Sequence, residues 1–164
     1  MQERQHRVFV YGTLRFGFGL HRAIRDCPYL GERSLAGFEM ADVGAFPAIH
    51  RTGAPDQYVI GEVYRVDDHE LYILDSVEGY TEGRRNNHYE RIAVEIDGLG
   101  ECWVYTYTDD SWDHLLERRG SGVVVESGDY VRHCIEFREP DPEVVNRKLG
   151  ERRLARDLQK GVSS

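Results

Sequence analysis

The fold is set by the stretch from Arg7 to Leu20, which reads RVFVYGTLRFGFGL. Its first part, Val8 to Tyr11, places apolar side chains on both faces of a strand, which is typical of a strand inside a sheet. The turn that follows contains three glycines, Gly12, Gly17 and Gly19. A helix is predicted next from the spacing of four apolar residues, Leu20, Ala23, Ile24 and Cys27. A strand, a tight turn and a helix direct backbone N–H groups at one point, where an anionic ligand can be held.

The known nucleotide-binding loops do not fit this turn. Gly12 and Gly17 have the spacing of a phosphate-binding loop, but Phe18 stands where that loop requires lysine. Arg22 likewise occupies the third glycine position of a dinucleotide-binding fingerprint. The residues alone therefore favour an ordinary structural turn, and an anion site at this turn stays the alternative.

Composition indicates one soluble, globular domain. The chain has 164 residues, of which 40% are hydrophobic and 30% are charged, and no apolar run approaches the length of a membrane-spanning helix. A formal net charge of −8 opposes broad binding to a phosphate backbone, so neither nucleic acid nor a membrane is expected as a partner. The three cysteines form no CxxC pair and the N-terminus lacks a signal-peptide core, so we expect a reduced, cytoplasmic protein without a zinc site.

The later part of the chain contains three predicted strands and a boundary. Tyr58 to Val66 is predicted to be a strand with apolar groups on both faces. Tyr89 to Ile96 and Glu101 to Tyr107 are predicted to form a hairpin, because an Asp-Gly turn separates them. Pro140 to Glu143 then supplies a cap, a proline and an acidic residue, which predicts the start of a further helix.

Glu78 is the strongest catalytic candidate. A capping box at Asp67 predicts a helix that ends near Val77. Leu71, Leu74 and Glu78 are spaced i, i+3 and i+7, so Glu78 falls inside the apolar arc of this helix, where burial raises the pKa of a carboxyl group. A carboxyl group with a raised pKa both takes and returns a proton near neutrality. The alternative is that the helix has ended by Val77 and that Glu78 faces water, and the spacing alone does not decide between the two.

Seven short motifs occur in a fixed order through about residues 7–135 of the chain. They are Tyr11-Gly12-Thr13-Leu14, Ala45-Phe46-Pro47-Ala48, Gly61-Glu62-Val63-Tyr64, Leu74-Asp75-Ser76-Val77-Glu78-Gly79-Tyr80, Tyr89-Glu90-Arg91, Trp103-Val104-Tyr105-Thr106-Tyr107 and Ser127-Gly128-Asp129-Tyr130. In type and order they resemble the gamma-glutamylcyclotransferase-like family, in its gamma-glutamylamine cyclotransferase and AIG2-like branch. One departure is visible, because Gly19-Leu20-His21 stands where many members of the family have an Asn-His pair.

The resemblance implies a fold and a domain division. The implied fold is of the α+β class, a small mixed β-barrel with flanking helices, and we assign it to residues 1–138. Residues 139–164 are predicted to be a helical extension that packs on the protein's own surface. Because every motif lies before this extension, we expect the domain to fold without it.

The resemblance also implies an activity. In a cyclotransferase of this type, the α-amine of a gamma-glutamyl group attacks its own γ-carbonyl and releases 5-oxoproline and a free amine. Glu78 aligns with the family's catalytic acid and base, and the implied substrate-binding residues are Tyr11, Gly12, Thr13, Leu14, Tyr89 and Tyr105. The substrate is expected to be a small gamma-glutamyl molecule, and no metal or organic cofactor is needed. Two alternatives stay open: a non-catalytic ligand-binding or adaptor domain with this fold, and a cyclotransferase for gamma-glutamyl groups on a larger carrier.

Overall fold

The computed structural model describes residues 4–85, 87 and 89–160. Residues 1–3 of the predicted domain (1–138) and residues 161–164 of the predicted extension (139–164) lie outside the described residues. The elements in chain order are β1 (Gln5–Val10), a 3-10 helix (Gly19–Ala23), β2 (Tyr29–Ala36), β3 (Phe38–Asp42), β4 (Pro47–Arg51), β5 (Tyr58–Asp67), α1 (Asp68–Val77), β6 (Tyr89–Ile96), β7 (Gly100–Tyr107), α2 (Asp109–Arg119), a second 3-10 helix (Ser121–Val123), α3 (Tyr130–Arg138) and α4 (Pro142–Lys160).

The main sheet has five strands in the order β2-β5-β1-β7-β6. It is mixed, because β1 pairs antiparallel with β5 and parallel with β7, whereas β2–β5 and β6–β7 are antiparallel. The central position of β1 confirms the prediction made from its two apolar faces. Val8 and Phe9 have no solvent exposure, since neighbouring strands flank β1 on both sides.

The prediction of a closed barrel is wrong, although the α+β class, the mixed sheet and the flanking helices are confirmed. Strands β2 and β6 are the two edges of the sheet and are not paired with each other. A separate two-stranded ribbon, β3–β4, packs against the sheet, and its Phe38, Met40 and Ile49 share one apolar cluster with Phe9 and Val63. The ribbon therefore covers one apolar face of the open sheet. In a barrel, the sheet would enclose that face itself, because its two edge strands would pair.

The helix predicted after the glycine turn is only the 3-10 helix Gly19–Ala23. Phe18 stands at its N-cap and provides no side-chain hydrogen bond, and glycines on both sides of Phe18 are weak helix formers. Ile24 and Cys27 are nevertheless buried, as the apolar spacing indicates. By contrast, the capping box of α1 is confirmed, because the carboxylate at Asp67 accepts from the N–H of Glu70 and the reciprocal bond is also formed, both at 2.8 Å.

The segment after Arg138 forms one helix, α4, which packs on α3. Val145 and Leu149 are buried against Val131. Leu154 and Leu158, on the other face of the helix, are 61% and 78% exposed. The predicted extension is thus a single helix with one buried apolar face. The division of the chain at residue 138 stays a prediction.

A buried carboxylate connects α4 to the rest of the domain. Glu62 on β5 has no solvent exposure, and its carboxylate accepts from Arg15 and from Arg152 of α4, both at 2.9 Å. The backbone N–H of Phe16 and the hydroxyl of Tyr64 also donate to it, at 2.9 and 2.6 Å. Burial alone raises the pKa of Glu62, but the two guanidinium charges and these hydrogen bonds outweigh burial and lower it to about 2. A charge without solvent is stable only when it is paired in this way.

These contacts change the expectation for the C-terminal extension. Its removal takes away Arg152 and also Arg156, whose guanidinium lies 3.6 Å from the carboxylate of Glu62. It also exposes the apolar face of Val131. We therefore expect that truncation after Arg138 destabilises the domain, contrary to the expectation from the sequence.

The first prediction concerns Glu62 itself. Glu62→Gln keeps the shape of the side chain but leaves the surrounding guanidinium groups with one anion fewer, so the free energy of unfolding should fall by about 3–5 kcal/mol. Because the pKa of Glu62 is lower in the folded than in the unfolded chain, this difference should be complete above about pH 5 and shrink as the pH falls toward 2. Urea unfolding at several pH values measures it.

The matched control is Glu117→Gln, since Glu117 is an exposed residue of α2. This change should alter the free energy of unfolding by no more than about 0.5 kcal/mol. Equal urea midpoints for the two variants at pH 7 would contradict the role assigned to Glu62.

Candidate active site

A cavity of about 870 Å³ lies beside the C-terminal end of β1. It is lined by the loop after β1, by the turn between β3 and β4, by the end of α1 and by parts of β6, β7 and α2. All the residues predicted for the site contribute to its wall: Tyr11, Gly12, Thr13, Leu14, Glu78, Tyr89 and Tyr105. The fold thus brings together residues that lie up to about ninety positions apart in the chain.

Glu78 lies at the end of α1 and belongs to the cavity wall. The helix ends at Val77, and Glu78 is its C-cap residue. Gly79 follows with a φ of +67°, and the N–H of Tyr80 donates to the carbonyl of Asp75 at 2.8 Å. This is a Schellman ending, in which a glycine in the left-handed region reverses the chain. The alternative from the sequence was that the helix ends by Val77 and that Glu78 faces water. The helix does end at Val77, but Glu78 lines the cavity.

The electrostatics of Glu78 differ from those of an ordinary surface acid. Burial raises the pKa of its carboxyl group from 4.5 to about 7. Among the described residues, no lysine, arginine or histidine forms an ion pair with this carboxylate. A carboxyl group that is half ionised near neutrality and free of a fixed partner is suited to accept a proton and return it.

The loop after β1 forms part of the cavity wall. Gly12, Thr13 and Leu14 all line the cavity, and the N–H of Arg15 donates to the carbonyl of Gly12 at 2.9 Å to close a turn. Within the described part of the chain, the N–H groups of these three cavity residues have no backbone or side-chain acceptor. They are therefore available to an anionic or carbonyl oxygen of a ligand.

Gly12 is required by a close approach of two segments. A Cβ atom at this position would stand 2.6 Å from Cγ of Pro47, which belongs to the Phe-Pro motif at the start of β4. No side chain fits at that distance without movement of one of the segments. The glycine of the first motif and the proline of the second are thus parts of one contact.

Three tyrosines form a hydrogen-bonded wall of the cavity. The hydroxyl of Tyr11 donates to the carbonyl of Tyr105, the hydroxyl of Tyr105 donates to Asp75, both at 2.6 Å, and the hydroxyl of Tyr89 donates to the carbonyl of Pro47 at 3.1 Å. Burial first, and the hydrogen bond to Asp75 second, raise the pKa of Tyr105, so it is a neutral donor at physiological pH. Because their protons are committed to the protein, these tyrosines shape the cavity more directly than they offer protons to a ligand.

Asp75 has a structural role next to the site. It accepts from Tyr105 and forms an ion pair with Arg91 at 3.3 Å, and the guanidinium of Arg91 lies over the ring of Trp103 at 4.6 Å. Asp75 precedes Glu78 by three positions on the same helix. A substitution at Asp75 would remove these contacts and so disturb the cavity wall through Tyr105.

Two cations of the cavity wall were not predicted from the sequence as site residues. Arg22 in the first 3-10 helix and Arg118 in the last turn of α2 are exposed and line the cavity. No pattern in the sequence distinguishes these two arginines from the many others in the chain. Tyr107 at the end of β7 also lines the cavity, with its ring 4.9 Å from that of Tyr89.

Other reactive groups do not form a second site in the described chain. Cys102 is buried, burial raises the pKa of its thiol, and it lies in a strand away from the cavity wall. Among residues 4–85, 87 and 89–160, no three His, Cys, Asp or Glu side chains are grouped as metal ligands. Within the same residues, no helix combines the length and apolar character that crossing a membrane requires.

The chain is similar in sequence to known proteins. Residues 8–132 match the model of the family described as gamma-glutamyl cyclotransferase, AIG2-like. This chain belongs to that family. A Vibrio cholerae protein, provisionally named a gamma-glutamylcyclotransferase, is 34% identical over 127 residues, which cover 77% of this chain and 96% of the relative. A Niallia circulans protein named gamma-L-glutamyl-butirosin B gamma-glutamyl cyclotransferase is 30% identical over 119 residues, which cover 70% of this chain and 72% of the relative.

Solved structures share the fold. The crystal structure of an uncharacterised protein from Pyrococcus horikoshii superposes with a TM-score of 0.61 at 23% sequence identity, over 81% of this chain and 96% of that one.

The family match ends at residue 132, and α4 begins ten residues later at Pro142. The family resemblance of the seven motifs is thus confirmed, and α4 lies outside the matched residues.

A substitution at Gly12 tests the packing of the cavity wall. Gly12→Ala places a methyl group against Pro47, so we expect a loss of about 1–3 kcal/mol in the free energy of unfolding, as for other overpacked sites. The control is Gly19→Ala, because a Cβ atom at Gly19 meets no other atom within 4 Å. Thermal unfolding measures both variants, and equal stability would contradict the close approach of the two motifs.

Proposed function

We propose that this protein is a cyclotransferase that releases 5-oxoproline and a free amine from a gamma-glutamyl amine, with Glu78 as the acid and base. The observation that carries the proposal is the position of Glu78 in the cavity wall, with the pKa of its carboxyl group raised to about 7 and no ion-pair partner among the described residues. The same wall includes Gly12, Thr13 and Leu14, whose N–H groups have no acceptor within that part of the chain. Membership of the gamma-glutamyl cyclotransferase, AIG2-like family supports the same chemistry.

The reaction needs one group that both accepts and donates a proton. The ionised Glu78 takes a proton from the substrate's α-ammonium, and the freed amine attacks the γ-carbonyl carbon of the same glutamyl group. A C–N bond forms and the carbonyl electron pair moves onto oxygen. When the oxyanion collapses, the bond to the leaving amine breaks and Glu78 returns its proton to that nitrogen. The ring nitrogen then gives up its second proton through the same carboxyl group, and the amine leaves as an ammonium ion. No water is consumed, and atoms and charge balance between the substrate and the two products.

The cavity supplies the other requirements of this reaction. The N–H groups of Gly12, Thr13 and Leu14 are placed to hold either the α-carboxylate or the developing oxyanion. The cations Arg22 and Arg118 add positive charge to a cavity in which Glu78 is the one acidic lining residue among those that the structure describes. Holding the glutamyl group in a folded shape brings its nitrogen close to its carbonyl carbon, which is the largest contribution that positioning can make to a ring closure.

A cyclotransferase for gamma-glutamyl groups on a larger molecule is the second candidate. The volume of about 870 Å³ lies near the upper end of the range of about 300–1,000 Å³ for cavities that enclose a drug-sized ligand. A gamma-glutamyl group alone fills a small part of it. The Niallia circulans relative is named for a gamma-glutamyl group on butirosin B, which is consistent with a bulky leaving amine in this family. Comparing 5-oxoproline release from gamma-glutamyl derivatives of small and bulky amines distinguishes the two candidates.

Glu78→Gln tests the catalytic assignment. The amide keeps the size of the side chain but cannot shuttle a proton, so 5-oxoproline release should fall by about 10²–10⁴-fold. The matched control is Glu82→Gln, four residues further on, because Glu82 is exposed and does not line the cavity. The measurement is chromatographic detection of 5-oxoproline from whichever gamma-glutamyl substrate the wild type accepts. Equal release by wild type and Glu78→Gln would remove the assignment and favour a non-catalytic binding domain.

The raised pKa also predicts how stability depends on pH. Since the pKa of Glu78 is higher in the folded chain than in the unfolded chain, the native state binds more protons between about pH 4.5 and 7, and its stability falls as the pH rises through that range. Glu78→Gln removes this penalty. At pH 8 the free energy of unfolding of the variant should exceed that of wild type by up to about 3 kcal/mol. The two free energies, measured by urea unfolding, should converge near pH 4.5. A difference that does not depend on pH would show that Glu78 is solvated.

A further inference from the structure

The helix α4 contacts the loop that forms one wall of the cavity. The guanidinium of Arg152 donates to the carbonyl of Phe16, and the same nitrogen donates to the carboxylate of Glu62 at 2.9 Å. The guanidinium carbon of Arg152 also lies 5.8 Å from the centre of the Phe16 ring. An element beyond the matched family residues thus reaches the loop between β1 and the first 3-10 helix.

Both main-chain polar groups of Phe16 are held by this arrangement. Its N–H donates to one carboxylate oxygen of Glu62 at 2.9 Å, and its carbonyl accepts from Arg152, which is bound to the other oxygen of Glu62. Glu62 has no solvent exposure, and Arg152 is largely buried. Because each member is bonded to the next, Phe16 cannot shift without breaking a charge-assisted hydrogen bond away from water.

The held residue lies between two parts of the loop that face the ligand cavity. Gly12 to Leu14 line the cavity before it, and Phe18 to Leu20 line the cavity after it. Phe18 also packs against the apolar cluster that α3 and α4 share, through Val145 and Leu149 of α4. The loop is therefore held on this side by the charged contact of Arg152 with Phe16 and by an apolar cluster to which both α3 and α4 contribute.

We propose that α4 positions the glycine loop for substrate binding, and that Arg152 is the positioning residue through which it acts. Arg152 itself does not line the cavity. Its effect should fall on substrate affinity, because the loop supplies the N–H groups proposed to hold the substrate, whereas the proton shuttle Glu78 belongs to α1. This inference rests on the proposed function, since turnover is one of its two tests.

Arg156, one turn further along α4, provides a comparison within the same charge cluster. It donates to Glu32 of β2 at 2.9 Å and lies 3.6 Å from Glu62, and within the described residues it forms no hydrogen bond or ion pair with the loop around Phe16. Its guanidinium also lies over the ring of Tyr29 at 5.1 Å. Loss of Arg156 should therefore reduce stability in much the same way as loss of Arg152, while leaving the loop in place.

The experiment compares Arg152→Ala with Arg152→Lys, Arg156→Ala and the exposed control Arg147→Ala in the full chain. We expect Arg152→Ala to raise KM for 5-oxoproline release by about tenfold or more with little change in kcat, within the roughly 10²-fold that a misplacement of about 1 Å can cost. Arg152→Lys, which retains a charged donor, should recover most of the lost affinity. Arg156→Ala should lower the melting temperature without this rise in KM, and Arg147→Ala should change neither quantity.

Hydrogen exchange of the amides of residues 11–20, followed by mass spectrometry, is the second test and needs no activity. Exchange in this segment should be faster in Arg152→Ala than in wild type and unchanged in Arg156→Ala. If wild type releases no 5-oxoproline, the proposed function fails, while the exchange comparison still supports or rejects the positioning of the loop. If Arg152→Ala does not fold, Arg152→Gln takes its place. Unchanged exchange and unchanged KM, or equal effects in the Arg152 and Arg156 variants, would overturn the proposal.

Discussion

The structure depends on the burial of one charge, the carboxylate of Glu62. A carboxylate without solvent stays ionised only if cations and hydrogen-bond donors replace the water it has lost. Arg15 and the N–H of Phe16 come from the loop after β1, and Arg152 comes from α4. Arg15 is in turn bonded to Asp129, the N-cap of α3, at 2.9 Å. The contacts that stabilise this one anion on β5 therefore hold the glycine loop, the start of α3 and helix α4 in one arrangement.

The pKa values of two glutamates are shifted in opposite directions, and the two residues have different roles. Glu62 is surrounded by guanidinium groups and has its pKa lowered to about 2, so it is a permanent anion that organises the fold. Glu78 is partly buried, has no cationic partner among the described residues and has its pKa raised to about 7. The first cannot exchange protons near neutrality, and the second can. The glycine loop lies between them, held by Glu62 on one side and lining the cavity of Glu78 on the other.

Local patterns predicted much of this arrangement, and long-range packing explains what they missed. The two-faced apolar pattern of β1 and the capping box of α1 depend on neighbours in sequence, and the structure has both of them. The spacing around Glu78 left its surroundings undecided, because they depend on distant strands that line the same cavity. Barrel closure depends on whether two distant edges meet, which no local pattern encodes. The role of Arg152 could not be seen because its partners lie about 90 and 136 positions away, in a chain where arginine is the common cation. The cavity residues Arg22 and Arg118 were missed for the same reason.

The most direct test of the central claim is the ionisation of Glu78 in the folded protein. Carbon-13 NMR of a sample labelled at the glutamate side-chain carboxyl groups follows each titration separately, and the resonance that disappears in Glu78→Gln identifies this residue. We predict a midpoint close to pH 7, because burial without a cationic partner disfavours the anion. A midpoint near 4.5, the value of a solvated glutamate, would contradict the proposal that Glu78 is poised to exchange a proton with the substrate.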